Sequence, residues 1–240
     1  MLEQLEATRE PAVEAPRRSR GKALQLLLAR PLTLAGAVIV ALFIVIAVIG
    51  PLVTPRSPDA IIYTSVLSPP SAAFPFGTDD AGRDILSRII AGARISLTVG
   101  IVSVGIAMVC GSALGLVAGY LGGWVDQLIM RLMDVMLAFP DILLAIVIIA
   151  ILGPGLVNVM IAVGIGAIPV YTRTVRAAVL DVREQEFVEA ARALGVPAWR
   201  IMRVHILPNV LAPIIVLATL GVGLAILIAA GLSFVGLGAQ

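Results

Sequence analysis

ILLAIVIIAILGPGLVNVMIAVGIGAIPVYT, residues 142–172, carries no charged side chain and is interrupted by Gly153-Pro154-Gly155. It is either one long membrane crossing or two crossings that meet at that turn, and the layout of the whole chain depends on which. The residues that follow decide. Residues 173–206 hold Arg173, Arg176, Arg183, Arg192, Arg200 and Arg203 against Asp181, Glu184, Glu186 and Glu189. Short arginine-rich loops stay on the cytoplasmic side of a membrane. Given a cytoplasmic N-terminus, a single crossing would strand this loop outside, whereas two crossings bring it back. The sequence therefore predicts a third crossing that begins near Gln127 and takes in Arg131, Asp134 and Asp141. A turn at Gly153-Pro154-Gly155 and a fourth crossing follow.

Working outward, residues 32–49 are uncharged and long enough, at 1.5 Å per residue, to approach the roughly 30 Å of a bilayer core. They make the first crossing, ended by Gly50-Pro51. Before them, residues 1–30 carry Arg9, Arg17, Arg18, Arg20, Lys22 and Arg30 and read as a cytoplasmic leader without a small-residue cleavage site. After them, Pro51, Pro55, Pro58, Pro69, Pro70 and Pro75 exclude a continuous helix. Residues 51–92 are expected to be extracytoplasmic, with a short helix from about Gly82. Residues 95–125 contain the second crossing, closed by a loop at Gly119-Tyr120-Leu121-Gly122-Gly123. Residues 209–240 supply the fifth. The predicted fold is an all-α, polytopic membrane protein with about five transmembrane helices. Its organisation is a leader over 1–30, a first helix over 31–50, an outer segment over 51–92 and a core over 93–240. Composition agrees: 60% of the 240 residues are hydrophobic and 13% charged, with a mean hydropathy of +1.06. A soluble domain carries about 25% charged residues, and lipid is the solvent that accepts the surplus.

Catalytic chemistry finds little footing. The single histidine, His205, has no cysteine or paired carboxylate near it to make a metal site, and the single cysteine, Cys110, reads as a small apolar filler. A phosphate-binding loop needs Gly-Lys-Ser/Thr, and the only lysine, Lys22, precedes Ala23. No cofactor is expected in this chain, and ATP-driven work would need the nucleotide and its magnesium on another polypeptide.

Ionisable groups at membrane depth are costly and often functional. Asp134 and Asp141 are seven residues apart, which on one continuous helix puts them on one face. They make a polar path or proton relay on one reading. On the other, Asp134 is a local partner of Arg131 at the interface and Asp141, after Pro140, stabilises a helix start.

The loop at about 179–208 is the most informative segment. Asp181 with Glu184 has the form of a helix start. A helix through Glu189 would stop at Gly195, a residue suited to a left-handed cap, and Pro197 would open a second helix running to Leu207-Pro208. Ala190, Ala191 and Ala193 offer a low surface for close backbone approach, and Phe187, Val188 and Leu194 are apolar anchors for a partner groove. An amphipathic hairpin lying on anionic lipid fits equally well.

Glu189-Ala190-Ala191, then after three residues Gly195, and finally Leu207-Pro208 resemble the EAA signature of bacterial ABC-importer permeases. His205 stands where isoleucine is usual, and the His-Ile-Leu-Pro-Asn ending is similar to the dipeptide/oligopeptide branch. Phe76-Gly77-Thr78-Asp79-Asp80-Ala81-Gly82-Arg83-Asp84-Ile85-Leu86-Ser87-Arg88 and Gly231-Leu232-Ser233-Phe234-Val235-Gly236-Leu237-Gly238 resemble two further segments of that branch's "C" permease. The resemblance implies a type I ABC-importer permease fold in a prokaryotic inner membrane, with the N-terminus cytoplasmic. It implies transport of di- or oligopeptides, or of nickel or another small solute, with no nucleic acid involved. Phe187, Val188, Glu189, Ala190, Ala191, Gly195, His205, Leu207 and Pro208 become the contacts with an ATPase. The implied partners are a second related permease, two ATPase subunits, an external peptide-binding protein and the bilayer. The family has a sixth crossing after the Gly-Leu-Gly segment; five are legible before Gln240. A proton-coupled transporter working through Asp134 and Asp141, or a membrane anchor, is the rival reading. Within the importer, Gly100, Gly105, Gly111, Gly115, Gly164, Gly166, Gly221 and Gly223 are expected to let helices approach closely and slide.

Overall fold

The computed structural model describes residues 30–238, so the leader expected over 1–30 lies, apart from Arg30, outside the described residues. The regular structure among them is helical, with one isolated antiparallel bridge between Thr78 and Asp84. Among the described residues four helices are long and apolar enough to cross a membrane, and a bent pair, counted as one crossing, brings the number to five.

The chain divides into two units, residues 1–46 and 47–240. The described part of the first is the N-terminal portion of α1 (Pro31–Val53), whose side chains are almost all exposed. At 23 residues and without a charge, this helix is long and apolar enough to cross lipid. It continues through Gly50-Pro51, where the sequence places its end, and Thr54 Oγ1 closes it by donating to the Gly50 carbonyl at 2.5 Å.

In the second unit, residues 54–84 are irregular apart from one turn of 3₁₀ helix at Tyr63–Ser65, in keeping with their prolines. One carboxylate organises much of this segment. Asp79 Oδ1 accepts from the backbone N–H of Ala81 at 3.0 Å and of Arg83 at 2.8 Å. Its Oδ2 accepts from Arg83 Nε at 2.8 Å and Arg88 Nη1 at 3.1 Å. Burial works against the charged form, but these hydrogen bonds and the Arg83 charge outweigh it and hold the carboxyl below its ordinary range. Gly82, with φ of 77°, sits so close to the Ile62 carbonyl that a Cβ would lie 2.5 Å from its oxygen.

Asp84 caps α2 (Ile85–Leu121) by accepting from the Ser87 N–H at 3.1 Å. The short helix expected from Gly82 and the second crossing are thus one helix. It also absorbs Gly119, which the sequence assigns to a loop; the break comes at Gly122, whose φ is 66°. Next come α3 (Gly123–Leu137) and α4 (Asp141–Leu152), bent against each other by 93°. The third crossing is therefore not a single rod. Proline at 140 cannot continue the ladder and biases Phe139 away from helical angles, so a new helix starts at Asp141. At about 18 Å by helical rise, α4 is too short to cross alone. Gly153 and Gly155, both at positive φ, turn the chain into α5 (Leu156–Arg183), and Asn158 Nδ2 ties the turn by donating to the Leu152 and Gly153 carbonyls at 3.0 Å.

Asp181 lies inside α5, so the expected helix start there is displaced: α6 runs Glu186–Ala193 after Gln185. Then come α7 (Ala198–Arg200), a π-helical turn over Ile201–Ile206, and α8 (Leu207–Phe234). The last three join without interruption, so Leu207-Pro208 is not a break. Proline at the second position of α8 lacks an N–H where the ladder has just been loosened by the π turn.

The most extensive helix pair is α2 with α5. Ser103, Ala107, Gly111, Gly115 and Gly119 recur every fourth residue on α2, one stripe of small residues that lets the two backbones touch. A Cβ on Gly111 would lie 2.6 Å from Tyr171 Cβ, one on Gly115 2.5 Å from the Thr172 carbonyl oxygen, and one on Gly119 2.8 Å from Val179 Cβ. From the other side, Gly164 meets Ile106 and the Ser103 backbone, and Ser103 Oγ donates to the Met160 carbonyl at 3.0 Å. Gly100 and Gly221 bring α8 against the same pair. Gly105, Gly166 and Gly223, also expected at contacts, have nothing within 4 Å of a Cβ position.

Gly115→Ala should cost about 1–3 kcal/mol, because the methyl meets backbone that cannot turn aside. Gly105→Ala should stay within about 0.5 kcal/mol of wild type or gain from helix propensity. Melting temperatures of the detergent-purified protein test this, and equal values for the two variants would refute the packing account. Because the folded pKa of Asp79 is depressed, its contribution is complete above the ordinary carboxylate value of about 3.9. It is lost as pH falls below that value, through the folded pKa. Protease resistance of residues 54–84 should decline over that acid range, and Asp79→Asn should show reduced resistance already at pH 7.

Candidate functional site: the α6–α8 hairpin

α6 ends in a Schellman motif. The Val196 N–H donates to the Ala191 carbonyl at 3.1 Å and the Gly195 N–H to the Arg192 carbonyl at 3.0 Å, with Gly195 at φ of 74°. This reverses the chain within a few residues and lays α6 beside the π turn. Val188 is fully buried, Ala191 nearly so, and they pack with Val175 and Val179 of α5, Ile201 and Ile206 of the π turn, and Val210 of α8. The hairpin is thereby fastened to two long helices by an apolar core of its own.

That core corrects the sequence reading of Val188 as an anchor for a partner: it is an internal anchor. Leu207 is half-buried and packs against the same cluster. His205 is half-buried, and its carbonyl accepts from Asn209 Nδ2 at 2.6 Å. The outward face carries Phe187, Glu189, Ala190 and Gly195, with Pro208 exposed at the start of α8. Leu194 is 84% exposed and Trp199 61%. Exposed apolar side chains of this size beside small residues are what a partner groove would cover. Trp199 is absent from the signature residues and lies after the turn, in α7.

Glu189 lines a polar groove of about 350 Å³ with Tyr120, Arg183, Glu184 and Arg192. Arg192 sits over the Tyr120 ring at 5.8 Å from its centroid, and Arg183 Nη1 donates to the Gly119 carbonyl at 2.9 Å. The end of α2, with its tight Gly119 contact, is thus tied to the hairpin.

The two acids are not on one helical face. Asp134 is on α3 and Asp141 begins α4, across the 93° bend. Asp134 does not pair with Arg131 but with Arg173 of α5, and Asp126 takes a bidentate contact from Arg176, the Nη2–Oδ2 arm measuring 2.6 Å. Neither link was legible, since both partners lie some 40 to 50 residues away. With Asp134 occupied and Asp141 on another helix, a proton path through both loses its basis. A cavity of about 300 Å³ between α2, α5 and α8 has Asp141 at its edge.

Residues 111–240 match the model of the binding-protein-dependent transport system inner membrane component. Residues 21–70 match that of the N-terminal TM domain of oligopeptide transport permease C. The chain is 54% identical over 209 residues to a dipeptide transport system permease protein of Alkalihalophilus pseudofirmus, covering 87% of this chain and 69% of that one. It is 45% identical over 219 residues to a probable D,D-dipeptide transport system permease protein of Escherichia coli (91% and 74%). It is 42% identical over 241 residues to a glutathione transport system permease protein of Pectobacterium atrosepticum (100% and 79%). Together with the all-helical, multi-crossing fold, these matches establish that the chain belongs to the binding-protein-dependent transport system inner membrane component family, the permeases of ABC importers.

Proposed function

We propose that this chain is a permease subunit that moves small peptides inward, driven by a separate ATPase that grips the α6 hairpin from the cytoplasm. The carrying observation is the two-sidedness of the hairpin. Val188, Ala191, Ile201 and Ile206 pin it to α5 and α8, while Phe187, Leu194 and Trp199 are exposed among the described residues. A hairpin that cannot move independently of two membrane helices is a lever. ATP binding in the partner would displace it, and the membrane helices would rock between outward- and inward-facing states. A peptide substrate is supported by the dipeptide and glutathione permease names of the relatives. A second related permease, an external binding protein, and nucleotide with magnesium held on the ATPases complete the proposed assembly. In this arrangement residues 1–30 lie in the cytoplasm and residues 51–92 on the outer side, where the Asp79-centred segment would meet the delivered cargo.

Burying one large apolar side chain is worth about 1.5–3 kcal/mol. Leu194→Asp and Trp199→Asp should each reduce co-purification of the ATPase by tenfold or more and abolish substrate-stimulated ATP hydrolysis, while leaving the permease folded. Val188→Asp, with its charge forced into the hairpin core, should destroy the fold instead. Normal hydrolysis and uptake in both surface variants would refute the docking face. In a Cys110→Ala background, Leu194→Cys should resist an impermeant thiol reagent in intact cells and react once the membrane is opened; labelling in intact cells would reverse the proposed orientation.

A further inference from the structure

The cavity between α2, α5 and α8 holds about 300 Å³, at the small end of the range for ligand pockets. Val104, Val163, Ala167, Leu217 and Leu224 wall it, and the Tyr171 hydroxyl in its lining is turned to the Leu217 carbonyl at 3.3 Å. Its one carboxylate is Asp141, whose exposed side chain makes no hydrogen bond or ion pair among the described residues. Asp141 stands in the first turn of α4, where the helix N-terminus favours the anion. The other acid considered for a role at depth, Asp134, is engaged with Arg173.

We infer that this cavity is a selectivity site on the transport path: Asp141 receives the ammonium end of a peptide, and the apolar walls receive its first side chain. This rests on the peptide reading above. A lipid tail would use the walls and leave the carboxylate without purpose, and a bare cation would use the carboxylate and gain nothing from the walls. A peptide's N-terminal residue carries an ammonium and a side chain on one carbon, matching both. The peptide's own carboxylate is repelled by Asp141, so the ammonium end enters. Gly166 lines the cavity, and a Cβ there meets no atom within 4 Å, so a larger side chain can fill the space without pushing on backbone.

The test is initial-rate uptake of glycylglycine and leucylleucine by the complete complex, with one binding protein throughout, in proteoliposomes. Gly166→Leu should lower leucylleucine uptake about tenfold relative to glycylglycine, the scale of a methylene-level mismatch. Asp141→Asn should raise KM for both peptides about tenfold, the scale of one lost charge-assisted hydrogen bond, and Asp141→Glu should restore most of it. Equal loss of both peptides in Gly166→Leu, or wild-type kinetics in Asp141→Asn, overturns the site assignment while the peptide reading stands. Wild-type complex that takes up neither peptide overturns that reading and the site with it. Should Gly166→Leu fail to assemble, the Asp141 pair at its exposed position decides alone.

Discussion

The backbone contact between α2 and α5 is the constraint on which the rest depends. In lipid there is no hydrophobic gain from bringing two apolar helices together, so association comes from close packing and from polar groups that find partners. Gly111, Gly115 and Gly119 give α2 a face on which α5 rests directly, and Ser103 adds a cross-helix hydrogen bond to the Met160 carbonyl at the other end of the stripe. At these three glycines the nearest atoms of α5 are backbone atoms and the Cβ or Cγ of Tyr171, Val175 and Val179, which cannot swing aside.

α3, α4, the hairpin and α8 are all attached to α5. Its first turn fixes the end of α4 through Asn158. Arg173 and Arg176 hold α3 through Asp134 and Asp126. Val175 and Val179 form the floor of the hairpin core, while Gly119 on the far side of Val179 links the same point to α2. The hairpin core thus shares α5 with the seam and with α3, and it reaches the start of α8 as well. The glycine contacts read best as a fixed joint, and the sliding surface suggested by the glycine count has no support at Gly105, Gly166 and Gly223, which face open space.

The segment over residues 54–84 shows how a motif recognised by likeness acquires a physical reason. Asp79 gathers two backbone N–H groups and two guanidinium groups, Gly82 allows the Ile62 carbonyl to come close, and Asp84 caps α2. In the hairpin, likewise, Gly195 is needed for its positive φ and Ala191 for its small buried volume. Val188 went astray because a short amphipathic helix offers no way to tell which apolar face meets its own protein and which meets another.

The sequence by itself determined that the chain crosses a membrane several times and where several of its turns fall. Those conclusions rest on local quantities: runs without charge, prolines that stop helices, glycine at a left-handed cap, arginines clustered between two crossings. Only the tertiary structure decided that Pro140 breaks the third crossing into two helices at 93°, that Asp134 answers Arg173, and that the second arm of the hairpin runs unbroken into α8. The reason is physical. Bend angles, ion-pair choice and the identity of the inward face depend on groups far apart in the chain, and no periodicity along one helix encodes which residue of another will stand beside it.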